Sequence, residues 1–116
     1  MKAFVLRATG GLEHTAVAEV ADPGPPGPGE VRVAIRAAAL NHLDLFVVRG
    51  LPGLPRVLPH ILGSDGAGVV EAVGPGSAWR PGDAVLVNPG ISDYTCEFCL
   101  AGEHSLCVEY RILGEH

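Results

Sequence analysis

The chain has 116 residues, 47% of them hydrophobic, with a net charge of −5 and only eight basic residues, scattered along its length. That length makes one domain with a core of ordinary size, and the scatter of Lys and Arg excludes a nucleic-acid partner, which needs clustered cations to hold phosphates. No apolar run approaches the ~20 residues of a membrane helix, and no apolar signal segment opens the chain, so a reducing cytoplasm is the expected location.

Taken in chain order, Met1–Leu6 reads as a strand, and Thr15–Val20 as a less regular one that pairs with it. Asp22–Gly29, D-P-G-P-P-G-P-G, is a rigid turn, since Pro lacks the N–H and Gly costs order. Glu30–Ala38 alternates, with Val31, Val33 and Ile35 on one face, and is expected as a half-buried strand. Asn41–Arg49 is expected as a helix with Asn41 as N-cap. Gly50–Pro59 is a Pro/Gly loop. Gly66–Val73 is a Val-rich strand in which Gly66 and Gly68 allow close backbone approach. Gly74–Gly76 turns, Asp83–Val87 is a short apolar strand, and Tyr110–Leu113 is a last apolar stretch. Many short strands between Gly/Pro turns predict a mainly β, barrel-like domain with little helix.

All three cysteines fall within residues 96–107, and with Asp93 they read D-x2-C-x2-C-x7-C. Thiolates at x2 spacing close on one ion, and Zn²⁺ accepts a carboxylate oxygen in place of one sulfur. Asp93, Cys96, Cys99 and Cys107 are therefore the expected ligands of one structural zinc in a lobe spanning 88–108, with His104 as an alternative to Asp93. A disulfide framework prefers an even count in a small secreted chain. A thioredoxin-type pair at Cys96-x-x-Cys99 would need a helix start in a βαβ setting, and the Gly and Pro residues near 88–90 and 101–102 argue for a loop instead. Three ordinary buried cysteines explain the clustering poorly. Seven of the eight basic residues are Arg, Gln is absent and the ten prolines fall mostly in apparent loops. These biases suit a heat-adapted protein, although a GC-rich genome gives part of the same pattern.

Gly63-Ser-Asp-Gly-Ala-Gly-Val-Val-Glu-Ala-Val-Gly74, followed by Arg80-Pro-Gly-Asp-Ala-Val85 and then the cysteine lobe, resembles the N-terminal catalytic domain of the medium-chain dehydrogenase/reductases. The resemblance covers nearly the whole chain, 1–116. It implies a GroES-like, partly open β-barrel with short helices and a zinc lobe, and an oxidoreductase whose NAD or NADP sits mainly on a separate Rossmann domain. The glycine pairs Gly66/Gly68 and Gly74/Gly76 do not complete a dinucleotide fingerprint, so these residues are expected to bind the cofactor only weakly alone and to be inactive in isolation. A small-molecule substrate and a homo-oligomer at full length also follow from the resemblance.

The zinc-dependent alcohol dehydrogenases of that family place a Cys ligand where this chain has Asn41, a proton-relaying Thr or Ser where it has Leu43, and the His and Glu of a Gly-His-Glu motif where it has Ser64 and Asp65. A catalytic zinc of that type is not expected here. Asn41 with Asp44 resembles the zinc-free quinone and enoyl reductases, which pass hydride to an activated carbon–carbon double bond. Asn41, Asp44, Ser64 and Asp65 are the catalytic candidates on that resemblance, and His42 is the candidate beside the cofactor pyrophosphate. Asn41 serves equally as a helix N-cap, and His60 is better read as a hydrogen-bonded or surface histidine than as a pocket group. The rivals are an alcohol dehydrogenase with an altered zinc site and, from another class, a free-standing zinc-stabilised binding module.

Overall fold

The computed structural model describes residues 1–53 and 57–116. The expected Gly50–Pro59 loop is described except for 54–56, which lie outside those residues. Strand β1 (Lys2–Leu6) pairs antiparallel with β2 (Thr15–Glu19), Lys2 opposite Glu19 and Leu6 opposite Thr15. The next strand, β3 (Val31–Ala39), leads into helix α1 (His42–Arg49). The two-residue β4 (His60–Ile61) pairs with the other edge of β1. The long β5 (Asp65–Val73) runs antiparallel to β3 and then to β6 (Ala84–Leu86). The lobe follows as an excursion between β7 (Gly90–Ile91) and β8 (Arg111–Ile112), which pair with each other. Within it sits the one-turn helix α2 (Glu97–Leu100).

Among the described residues, two three-stranded sheets, β2-β1-β4 and β3-β5-β6, and the small β7-β8 ribbon thus make up a mainly β, unclosed structure, as the sequence led one to expect. The core is small. Leu6, Val47, Val48 and Leu62 are buried together, with Phe4 and Leu43 packed on them, and they fasten α1 to the β1–β4 sheet. Gly68 lets β3 and β5 approach closely, because a Cβ there would collide with the Ala34 carbonyl.

The clean two-faced alternation expected of β3 is not observed. Register shifts at Arg32/Val33 and Ile35/Ala37 break the period of two, and Arg32, Val33, Ala34 and Ile35 all border one cavity of about 900 Å³. Ile35 remains 53% exposed. The molecule presents 7817 Å² to solvent, against about 6,000 Å² for a closed monomer of 12.0 kDa. Its radius of gyration is 15.5 Å, against about 13.4 Å for a compact chain of this length. Both values mark an open shape, and the cavity is a wide groove lined by residues of both sheets, Lys2–Phe4 and Ile61 from one and Arg32–Ile35 and Asp65 from the other. No helix among the described residues is long and apolar enough to cross a membrane.

Candidate metal centre and the 41–65 site

The lobe is built by backbone geometry before any ligand chemistry. Tyr94 takes a left-handed φ of 59°, which turns the chain between Asp93 and Thr95. Asp93 Oδ1 then accepts the backbone N–H groups of Thr95 at 2.8 Å and Cys96 at 2.9 Å. Cys96 is the N-cap of α2 and Cys99 lies one turn on, so a short helix, not the expected loop, carries the C-x2-C pair. Cys107 returns at the end of the 3-10 turn His104–Leu106, and its Sγ accepts the Asp93 N–H at 3.3 Å.

One ligand atom from each of Asp93, Cys96, Cys99 and Cys107 lies within 4.8 Å of all the others, and this is the one such metal-competent group among the described residues. A zinc tetrahedron with metal–sulfur bonds of ~2.3 Å has edges of about 3.8 Å, so a contraction of at most about an ångström would complete it. The cysteines form no disulfide. His104 is not in the group; its ring packs on Tyr94 at 5.2 Å between centroids.

The electrostatics suit a cation. The Cys96 and Thr95 amides hold the Asp93 carboxyl down to about 2. The Cys99 and Val108 amides lower the Cys96 thiol. Burial, with the neighbouring thiols, pushes Cys99 up to about 12. The metal-free lobe therefore carries a ready carboxylate and a protonated Cys99, and a bound cation would displace that proton. The N–H donors aimed at sulfur are outer-shell hydrogen bonds of the kind that orient ligands at a metal site. Cys99 and Cys107 are buried and Cys96 half-buried, an enclosure that suits a structural site more than an open catalytic one.

The second group gathers where α1 begins. Asn41 is the N-cap of α1, and its backbone N–H donates to Asp44 Oδ2 at 2.8 Å. Asp44 Oδ1 accepts the Gly63 N–H at 3.0 Å. Asp44 is only 6% exposed, so both carboxylate oxygens are committed to backbone amides and brace the helix start against Gly63. The Asn41 Nδ2 donates to Asp65 Oδ2 at 2.7 Å. Ser64 is buried and, with Asp65, lines the large groove. Asn41, Asp44 and Asp65 are thus linked by hydrogen bonds, with Ser64 adjacent. His42 stands apart at the exposed start of α1, its ring 6.1 Å from that of Phe46. His60 is hydrogen-bonded, its Nε2 2.8 Å from the Gly114 carbonyl oxygen.

Sequence reasoning did not anticipate Asp44 as a brace, although N-x-x-D at a helix start is a recognisable capping pattern. It also missed the backbone donors at Cys99 and Val108, which no side-chain pattern announces.

The comparisons with known proteins converge. Residues 27–115 match the alcohol dehydrogenase GroES-like domain. A zinc-type alcohol dehydrogenase-like protein of Schizosaccharomyces pombe is 36% identical over 115 residues, covering 91% of this chain and 33% of that protein. The crystal structure of an NAD-dependent alcohol dehydrogenase superposes with a TM-score of 0.91 at 58% identity, over 100% of this chain and 34% of that one. A cobalt- and zinc-bound thermostable alcohol dehydrogenase from Pyrobaculum aerophilum superposes with a TM-score of 0.82 at 37% identity, over 100% of this chain and 33% of the other. The chain therefore spans about a third of the length of the relatives it matches.

Proposed function

The chain belongs to the alcohol dehydrogenase family, through its GroES-like domain, and from that premise we propose that residues 1–116 form the catalytic domain of a longer NAD(P)-dependent oxidoreductase. The lobe holds one structural zinc through Asp93, Cys96, Cys99 and Cys107. The substrate is a small enone, quinone or related activated alkene. The coverage of a third of each relative supports the longer chain. So does the open groove, whose apolar walls are suited to cover by further protein.

The observation that carries the reading of the reaction is the Asn41–Asp65 hydrogen bond. Around the candidate centre the chain offers an amide, a hydroxyl and a carboxylate already bonded to the amide. That is a poor donor set for zinc and a good one for orienting a neutral hydrogen-bond donor. The nicotinamide, when bound by the remainder of the enzyme, supplies the hydride. An amide nitrogen has two N–H groups. With one committed to Asp65, the other is available to a carbonyl oxygen as negative charge gathers on it. Asp65 fixes the orientation of that donor and Asp44 fixes the helix start that carries it. Ser64 shapes the groove wall, and His42 lies at the helix start as the contact for the cofactor pyrophosphate. The enzyme is cytoplasmic, homo-oligomeric and adapted to heat.

The test uses the full-length enzyme that contains this chain, assayed with NADPH and a cyclic enone and, separately, with NAD⁺ and simple alcohols. Enone reduction should dominate, and Asn41→Ala should lower kcat about 10²-fold. Elemental analysis should give one zinc per chain. Dominant alcohol oxidation with a second zinc per chain would replace this reading with that of a metal-dependent alcohol dehydrogenase.

A further inference from the structure

The return strand of the metal lobe does not end in solvent. Leu113 N–H donates to the Pro89 carbonyl at 2.9 Å, closing the lobe at its base beside the β7–β8 pair. The next residue, Gly114, takes a left-handed φ of 79° and lies so close to Gly63 that a Cβ on it would collide with the Gly63 carbonyl. The His60 ring is bonded to the Gly114 carbonyl at 2.8 Å; a carbonyl only accepts, so Nε2 carries the proton. Gly63 in turn donates to Asp44, Asp44 accepts from Asn41, and Asn41 donates to Asp65, two residues beyond Gly63. An unbroken run of contacts therefore leads from the lobe's base to the 41–65 site, and Leu113 and Gly114 border the same groove as Ser64 and Asp65.

We propose that Gly114, latched by His60, is a positioning residue: it seats the metal lobe on Gly63 and so sets where Ser64 and Asp65 stand relative to Asn41. This rests on the reading of 41–65 as the reaction site and of the lobe as a metal site. The absence of a side chain at Gly114 is what allows the seat, because the backbone of the 60–65 segment occupies the space a Cβ would need. Ordering the lobe around a metal is then felt at the Asn41 amide.

The structure supplies a matched control. Gly76, in the turn between β5 and β6, has φ 78°, nearly that of Gly114, with open space where its Cβ would be. Gly76→Ala and Gly114→Ala each put an alanine at nearly the same left-handed φ, but only the second meets Gly63. The readout is the NMR signal of the Asn41 side-chain amide and the exchange rate of the Gly63 N–H in the 116-residue chain. Gly114→Ala should displace the Asn41 signal and speed exchange at Gly63 by about tenfold or more. Gly76→Ala should change neither. His60→Phe, which keeps a ring and loses the bond, should move the same two signals in the same sense by less. That variant stands in for Gly114→Ala if the latter does not fold. Zinc chloride added to the metal-free wild type should shift the Asn41 amide, and in Gly114→Ala it should bind without that shift. Equal responses to the two alanines, an unmoved Asn41 signal in His60→Phe, or zinc bound with no change at Asn41 in the wild type would overturn the proposal. A wild type that takes no zinc removes the metal reading of the lobe instead, and the comparison of the two alanines then decides the proposal alone.

Discussion

From Pro89 to Leu113 the described residues bury only Cys99 and Cys107 among apolar side chains, whereas the body formed by β1, α1 and β4 buries Val5, Leu6, Val47, Val48 and Leu62. In the lobe, Leu100 is 77% exposed and Val108 69%. Burial of about 25 cal/mol per Å² is what holds the body, and the lobe has too little of it to offset the ordering of its turns. What the lobe has instead is four inward donors and the amides that point at them. Two neighbouring regions of one short chain thus rely on different chemistry, and perturbations should separate them.

The largest effect expected is on the lobe. Cys99→Ser or chelation should remove the metal and with it an ordering free energy of order 10 kcal/mol, by analogy with small structural zinc sites. Amide exchange should then become fast at Gly102 and Cys107 while Val47 and Val48 keep their protection. Loss of protection in both regions together would show that they are not separable. Next in size, Leu6→Ala should cost the body about 2–5 kcal/mol, read from the urea midpoint, with metal content unchanged. Asp44→Ala should cost about 2–4 kcal/mol, since it removes a helix cap and leaves the Gly63 amide without its partner. Asp44→Asn, which keeps one acceptor, should cost less. The smallest effect concerns acid. Folding lowers the Asp93 carboxyl to about 2. A lowered carboxyl adds stability above its unfolded pKa, and that stability is lost as pH falls through the folded value. In the metal-free chain the contribution should be constant at neutral pH and disappear from about pH 4 down to about pH 2. Asp93→Asn should flatten that limb of a plot of urea midpoint against pH.

The same contrast explains what could be read from the sequence. Ligand spacing is local, so D-x2-C-x2-C-x7-C located the four donors that the lobe gathers, and Asn41 announced the start of α1 by its residue type. The long strands β3 and β5 carried enough Val and Ala to be visible. The two-residue strands β4, β7 and β8 did not, because their pairing is decided by partners up to dozens of residues away and two residues hold no periodicity. Helix α2 is a single turn induced around Cys96, with Pro and Gly nearby pointing the other way. The openness of the groove is a property of how the sheets sit in space, and the alternation of β3 read as burial that its bulges do not deliver.

The surplus of exposed surface also governs how this chain melts. The heat-capacity increment of unfolding is set by apolar area newly wetted, and much of that area is already wet along the groove, at Ile35, Ile61 and Leu113 among others. Calorimetry on the 116-residue chain should therefore record an increment below the ~12–15 cal/mol/K per residue of ordinary domains, and its urea dependence should be correspondingly shallow. Its stability curve is then a broad, flat dome, little changed over a wide span of temperature. Whatever comes to cover the groove would steepen that curve as well as raise it.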